Sequence, residues 1–479
     1  MKRLKTIILP LFLLASLTGC GSSSGPTWKS GDKVYYDRII FDTSDEQATN
    51  PSIYLGVDSG VKSVKLGRDE IKFGYKGKVL TLPADALRKV GAGEKSAAVT
   101  FKNNKKQTVD IFNATKFIKT AEDFQAIGAD KKACEGYYIL ANDIDCSSIA
   151  NFEPIGQYFS EEDPTNFYFH GVLDGDGYAI KNVKCSYSNS PNGISIPDPA
   201  QPSLRYPSNY DVYSGSPLFE NEAHQSGSNT GIFQVIGSSG VVRNLTFDNC
   251  HVHGRTIVGV VAANVMGRVE NVLIKNNCSA SMDTHFYDDD CNTGAAFGIV
   301  AGSGNVDHVI SLTTQVSLLN IYENYDDEYI GKTGNNWDHS SDPANTDPWW
   351  RYTSACKKIP DTETDLTDNN GKKSNGVYSV VGKCWGQVKN SVGASFKVQP
   401  LNGEVFDVAF GHTHTAINKP TSGDSDLGSI ENCDVFKTAD LKVSATYQVF
   451  GFDTNLVWDI QDGKLPELRQ NINRFDIAQ

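Results

Sequence analysis

The sequence predicts an all-β protein in two parts, a β-sandwich over residues 30–113 followed by a right-handed parallel β-helix over residues 114–472. Three observations carry this. Glycine is abundant (43), methionine is rare (3) and aromatics reach 10%, a profile of turn-rich strands rather than helical bundles. The first part alternates apolar and polar residues at period two, with frequent turns. The second part repeats a short unit: a glycine, a brief apolar strand, a turn, then usually Val-x-Asn/His-Val/Leu.

The elements are justified in chain order. Lys2, Arg3 and Lys5 form a basic head, and Ile7 to Leu17 is an apolar run too short to span a bilayer as a stable helix. Leu17-Thr18-Gly19-Cys20 follows, and this order resembles a bacterial lipobox. The resemblance implies that residues 1–19 are a signal peptide, that Cys20 carries acyl chains, and that the Gly/Ser-rich residues 20–29 are a lipidated tether. Each buried methylene adds about 0.8 kcal/mol, so several chains on one cysteine anchor durably. The expected location is the bacterial cell envelope, lipid-anchored and surface-exposed, with the membrane as a partner through Cys20. Gly21 is not an aspartate, so retention at an inner membrane is not indicated. The net charge is −13 and becomes more negative once the basic head is removed. That balance argues against nucleic acid as a partner, since phosphate binding needs a basic surface.

Between residues 30 and 113 the strand signals are Lys33-Val-Tyr-Tyr, Ser52-Ile-Tyr-Leu, Val61-Lys-Ser-Val-Lys-Leu, Lys72-Phe-Gly-Tyr, Val79-Leu-Thr-Leu, Ala97-Ala-Val-Thr-Phe and Thr108-Val-Asp-Ile-Phe. Pro83-Ala-Asp-Ala-Leu-Arg-Lys-Val reads as one short helix, with proline early and Gly91 after it. This stretch resembles the X2-like immunoglobulin-type modules of bacterial surface and polysaccharide-degrading proteins, which usually serve as spacers.

Residues 114–127 then read as a capping segment with a helix, Thr120 being its N-cap with Asp123 three residues on. The repeats follow. Val242-Arg-Asn-Leu, Val269-Glu-Asn-Val, Val306-Asp-His-Val and Val388-Lys-Asn-Ser each come after a glycine-led strand, and the first three valines are 27 and 37 residues apart. Strands this short cannot bury a face alone, but stacked coils share a continuous interior. Val242, Leu245, Val269, Val272, Val306 and Val309 should point inward. Asn244, Asn271 and Asn390 recur at one position and should form a side-chain amide ladder.

Tyr137-Tyr-Ile-Leu-Ala-Asn-Asp-Ile-Asp, Phe169-His-Gly-Val-Leu-Asp-Gly-Asp-Gly and the Gly-Ile-Phe/Gly-Val-Val repeats resemble the GLUG-repeat β-helices of bacterial surface proteins. Related repeats occur in adhesins and in the N-terminal regions of some immunoglobulin-cleaving metalloproteases. The resemblance covers roughly residues 114–472, leaves residues 473–479 as a tail, and implies that Trp458 closes the last coil. Here the repeats are few and are interrupted by insertions at residues 186–230 and 320–373.

Zinc proteolysis needs His-Glu-x-x-His, and the nine histidines include none. His412 and His414 alternate like one face of a strand, with no third metal ligand nearby. Asp174-Gly-Asp-Gly is half of a calcium loop or simply a turn. Asp283, Asp288 and Asp290, between Cys278 and Cys291, are the better calcium candidates, weighed against a solvated acidic loop. Besides Cys20 there are nine cysteines and no Cys-x-x-Cys. The favoured disulfides are Cys278–Cys291 and Cys356–Cys384, although stacked coils can also bury cysteine as a small apolar residue. The insertion 320–373 concentrates aromatics among aspartates. Its Tyr329, Trp337, Trp349, Trp350 and Tyr352 are the candidate ligand-binding residues, because exposed aromatics with polar neighbours suit a glycan or protein surface. The function expected is that of an adhesin, or of a lipoprotein binding a host or bacterial surface glycan or protein. The alternatives are a β-helix polysaccharide lyase or glycoside hydrolase, for which no catalytic residue is assigned, and a structural envelope component.

Overall fold

The computed structural model describes residues 28–30, 33–35, 38–156, 167–186, 229–254, 257–284, 292–300, 304–320, 377–384, 386–398, 406–407, 410–413 and 428–470. The protein is mostly β, with long parallel sheets in the arrangement of a β-helix.

The N-terminal strands form two sheets around one core. Arg38–Asp42, Lys106–Ala114, Gly93–Phe101, Val61–Leu66 and Asp69–Ile71 lie side by side in that order, and Ser52–Tyr54, Val79–Thr81 and Gly74–Lys76 form the second sheet. Val64, Leu66, Val99 and Phe101 from the first sheet pack with Ile53 and Leu80 from the second and with Leu87 of the helix Ala84–Val90. Proline precedes that helix and Gly91 ends it at φ 74°, as the sequence indicates. Arg38–Asp42 pairs parallel with the end of Lys106–Ala114, whereas Gly93–Phe101 pairs with that strand antiparallel.

The chain passes from Lys106–Ala114 into Lys116–Ile118, the first strand of the stack, with one residue between them. Thr120 caps the helix Ala121–Gln125, its side chain accepting from the Asp123 amide at 3.2 Å. Each full coil then visits four parallel sheets. One coil runs Ile257–Val258, Ala262–Val265, Arg268–Ile274 and Ser279–Thr284, and every strand pairs with its counterpart one coil before and after. Val242, Val269, Val306 and Val388 stand in register through four coils. Together with Leu245, Val272 and Val309 they are fully buried in one core that runs the length of the stack.

The long sheet bends at the repeated asparagine. Asn244, Asn271, His308, Asn390 and Asn432 all sit at φ between 49° and 54°, a left-handed conformation that asparagine and histidine tolerate better than branched residues. The amides form a ladder. Asn271 Nδ2 donates to Asn244 Oδ1 at 3.2 Å, Asn244 Nδ2 to Asp174 Oδ1 at 3.0 Å, and Asn432 Nδ2 to Asn390 Oδ1 at 2.8 Å. His308 interrupts it, and Asp307 Oδ1 takes over as acceptor for Asn390 Nδ2 at 2.9 Å. A second ladder lies at the next bend, where Asn249 Nδ2 donates to Asn182 Oδ1 at 2.7 Å and Asn182 Nδ2 to Asp145 Oδ1 at 2.8 Å.

After the last coil strand, Asp434–Phe436, the chain turns back along the outside of the long sheet. Leu441, Tyr447, Phe450, Phe452, Trp458 and Leu468 cover the outward-facing Leu273, Ile310, Leu312, Val392 and Ala394. Trp458 therefore does not close the last coil. It is fully buried against the side of the stack, with Nε1 3.4 Å from Asn271 Oδ1. The reason is that the second half of the long sheet carries apolar residues on its outer face as well, and this returning segment, the strap, covers them.

Two groups of contacts join the sandwich to the coils. Phe112 and Ala114 pack with Ile139 and Val172. Above them Arg243 spans the boundary, with Nε 2.8 Å from Asp174 Oδ2 and Nη2 2.8 Å from Glu94 Oε1, and its guanidinium lies over the Phe112 ring at 5.9 Å.

Candidate binding edge

The insertions are placed by topology. The second sheet of the stack holds Lys184–Ser186, His251–Gly254, Ser279–Thr284 and Val316–Asn320, and the third holds Asn229–Thr230, Ile257–Val258, Asn292–Gly294 and Val377–Tyr378. The described strands of the second sheet end at Ser186, Thr284 and Asn320, and the next strands along the chain, in the third sheet, begin at Asn229, Asn292 and Val377. Each departure is thus from the second sheet and each return is to the third. The coil at Gly254–Ile257 crosses the same corner with two residues. Both long insertions therefore issue from one edge of the stack, in coils held in register.

Next to this edge the outer face of the second sheet is polar. Val252 and Ala280 point into the core, which leaves His251, His253, Ser279 and Ser281 on the other side. His251 Nδ1 lies 2.7 Å from Ser279 Oγ and its Nε2 3.1 Å from Asn249 Oδ1, while His253 Nδ1 lies 2.9 Å from Ser281 Oγ. Burial, with a smaller contribution from Lys184, lowers the pKa of His251, so the ring is neutral at pH 7. Ser279 is buried, and its contact with His251 links the polar row of one coil to the next.

The sequence-predicted residues distribute as follows. Tyr329, Trp337, Trp349, Trp350 and Tyr352 belong to the segment that leaves at Asn320 and returns at Val377, and they lie outside the described residues, as do Cys20, Asp288, Asp290 and His414. Asp283 lies on Ser279–Thr284 at the same corner, in register with Leu319. His412 lies on Gly411–Thr413, at the end of another sheet. Among the described residues no three His, Cys, Asp or Glu side chains form a metal-holding group.

Asp174-Gly-Asp-Gly is a turn. The Asp174 carboxylate is fully buried and accepts from Arg243, from Asn244 and from the Asp176 amide at 3.0 Å. Burial opposes its ionisation, but Arg243 and Asn244 outweigh that and hold its pKa below the usual carboxylate range. Gly175 is required for close approach, since a Cβ there would stand 2.3 Å from the Asn244 carbonyl oxygen.

The expected disulfides each have one cysteine among the described residues. Cys278 and Cys384 are free and buried, with their expected partners Cys291 and Cys356 outside the described residues. The Cys278 thiol donates to the Phe247 carbonyl at 3.3 Å, and the Cys250 amide donates to Cys278 Sγ at 3.4 Å. These sulfurs face the coil interior, where a cysteine packs as a small apolar residue. Burial pushes the Cys384 thiol up to about 12.

No family model matches the chain. Among curated proteins it is similar to halomucin of Haloquadratum walsbyi, at 27% identity over 164 residues, a stretch that is 32% of this chain and 1% of halomucin's own length. Among solved structures it is similar to a Bacteroides ovatus "putative immunoglobulin A1 protease", with a TM-score of 0.36 and 12% identity, over 74% of this chain and 92% of that one.

Proposed function

We propose that the protein is a lipid-anchored bacterial surface protein and acts as an adhesin or as a glycan- or protein-binding lipoprotein. In this reading the N-terminal strands are an immunoglobulin-like module, and the coils are a right-handed β-helix of the GLUG type. The single observation that supports the function is the shared edge: both long insertions leave one corner of a rigid, fully packed stack. Loops on such a scaffold are where recognition is usually carried. The insertion that returns at Val377 also holds the local excess of tryptophan and tyrosine. Attachment through Cys20 places this edge outside the membrane, beyond the N-terminal module.

The test is a glycan and extracellular-matrix array probed with the soluble fragment from Gly25 onward. A hit should weaken by about 2 kcal/mol or more with Trp349→Ala or Trp350→Ala, as truncated hot spots do, while the melting temperature barely changes. A fragment that binds nothing on the array, or variants that melt early yet bind normally, would overturn the assignment. Cys20→Ser should abolish membrane partitioning, and a variant still fractionating with membranes after a salt wash would refute the anchor.

A further inference from the structure

The strap docks on the bend residues themselves. Asn432 Nδ2 donates to the Val449 carbonyl at 3.0 Å, His308 Nε2 lies 3.2 Å from the Gly451 carbonyl oxygen, and Trp458 Nε1 donates to Asn271 Oδ1. The strap thus runs antiparallel to the order of the coils, and farther on the backbone of Arg469 and Gln470 reaches Gly177 in an early coil. At the asparagine positions these bonds involve neutral amides. His308 is different. Its Nδ1 lies 2.9 Å from Asp307 Oδ1, and its Nε2 faces a carbonyl. Both partners only accept, so both ring nitrogens must donate, and a neutral imidazole carries one N–H.

We infer that the strap is a proton-dependent clasp: His308 holds it on the stack as an imidazolium, and loss of that proton loosens the segment from Val449 to Trp458. Among the described residues the charged groups around the ring are few. Asp307 is adjacent on the same strand. In the flanking coils Glu270 and Lys389 stand in register with Asp307, and they pair with Arg268 at 3.6 Å and Glu431 at 3.7 Å. The strap presents the carbonyls of Phe450 and Gly451 and the Phe452 ring, whose centroid is 5.3 Å away edge-on. Asp453 on the strap caps the amides of Asn455 and Leu456 in its own turn.

The sign follows from these contacts. Burial works against the charge on His308, but Asp307 and the two carbonyls prevail and raise its pKa. A raised folded value contributes stability that is complete below the unfolded pKa of about 6.5 and is lost as pH rises through the folded value. Asp307 is lowered despite its burial, chiefly through its bonds to His308 and Asn390, so its part is present above about 3.9 and is lost as pH falls through the folded value. The clasp is therefore tightest in mildly acidic solution.

Hydrogen exchange on the purified chain tests this. After correction for intrinsic rates, protection of amides 449–458 should fall about tenfold between pH 6 and pH 9, while amides of the coil strands hold theirs. His308→Asn keeps a residue that suits the left-handed bend and should remove the pH dependence. Asp307→Asn should shift the wild-type midpoint to lower pH. A flat wild-type profile, or a His308→Asn profile that matches wild type, would overturn the clasp. If neither variant folds, the ring nitrogen resonances of wild-type His308 decide: both should carry protons at pH 6, and a single neutral tautomer there refutes the proposal.

Discussion

Replacing Arg243 with methionine separates two views of the junction between the sandwich and the coils. Arg243 makes two charge-assisted hydrogen bonds of 2.8 Å, one to fully buried Asp174 and one to Glu94, whose side chain is 47% exposed. The Glu94 bond is screened by solvent and should contribute less than about 1 kcal/mol. The Asp174 bond is another matter, because its loss strips a fully buried carboxylate of its hydrogen-bonded counter-charge and leaves the electrostatic pull of Arg38 beside it, at a cost of about 3–5 kcal/mol. Asn244 Nδ2 and the Asp176 amide still donate to that carboxylate, which puts the expected loss at the lower end, about 3 kcal/mol. Urea titration followed by circular dichroism at pH 7 measures it. Glu94→Gln should cost about a third as much or less, and adding Asp174→Asn to Arg243→Met should recover much of the loss. Asp174 has a lowered folded pKa, so its contribution is present above the unfolded value of about 3.9 and is lost as pH falls through the folded value. The wild-type advantage should therefore shrink in acid. If Glu94→Gln costs as much as Arg243→Met, or the latter costs less than about 1 kcal/mol, the buried pair with Asp174 does not control the junction.

Three further outcomes are expected. Val272→Asp would bury an unpaired carboxylate in the middle of the core and should cost about 4 kcal/mol or more in thermal or urea unfolding. Trp458→Ala removes a fully buried indole between strap and sheet and should cost about 3 kcal/mol, with increased protease cleavage between Val449 and Leu468. Cys134, Cys146, Cys185, Cys250, Cys278 and Cys384 are free and buried, so these thiols should resist a soluble disulfide reagent in the native protein and react on denaturation, as read by mass spectrometry.

What could be read from the sequence is what repeats. The valine columns and the asparagine ladder are legible because each coil sets the same steric problem at the same register position and meets it with the same residue type. The Thr120 cap and the proline-led helix are legible because their signals are local. The strap was not, since its contacts join Asn271, His308 and Asn432 to segments whose backbone carbonyls or single indole carry no pattern. Trp458 looks the same in sequence whether it closes an end or lies along a side. Arg243 is not legible in the sequence because one charge in an apolar strand acquires meaning only when Asp174 and Glu94 are beside it. The second ladder, Asp145–Asn182–Asn249, could have been found in the recurrent Asn before Val183 and Cys250. The inward turn of the Cys278 and Cys384 sulfurs follows from alternation along the strands, which spacing across a polar insertion does not reveal.

The parallel pairing of Arg38–Asp42 with the end of Lys106–Ala114 has a mechanical consequence. The first strand faces the N-terminus and the second leads within one residue into the coils. Tension applied between the N-terminus and the stack pulls these neighbours in opposite directions along their own length. The register pairs from Asp110↔Arg38 to Ala114↔Asp42 are then loaded together in shear rather than peeled one at a time. Rupture has to break the whole patch in a single event, so the protein should withstand pulling along this axis far better than pulling that unzips an end.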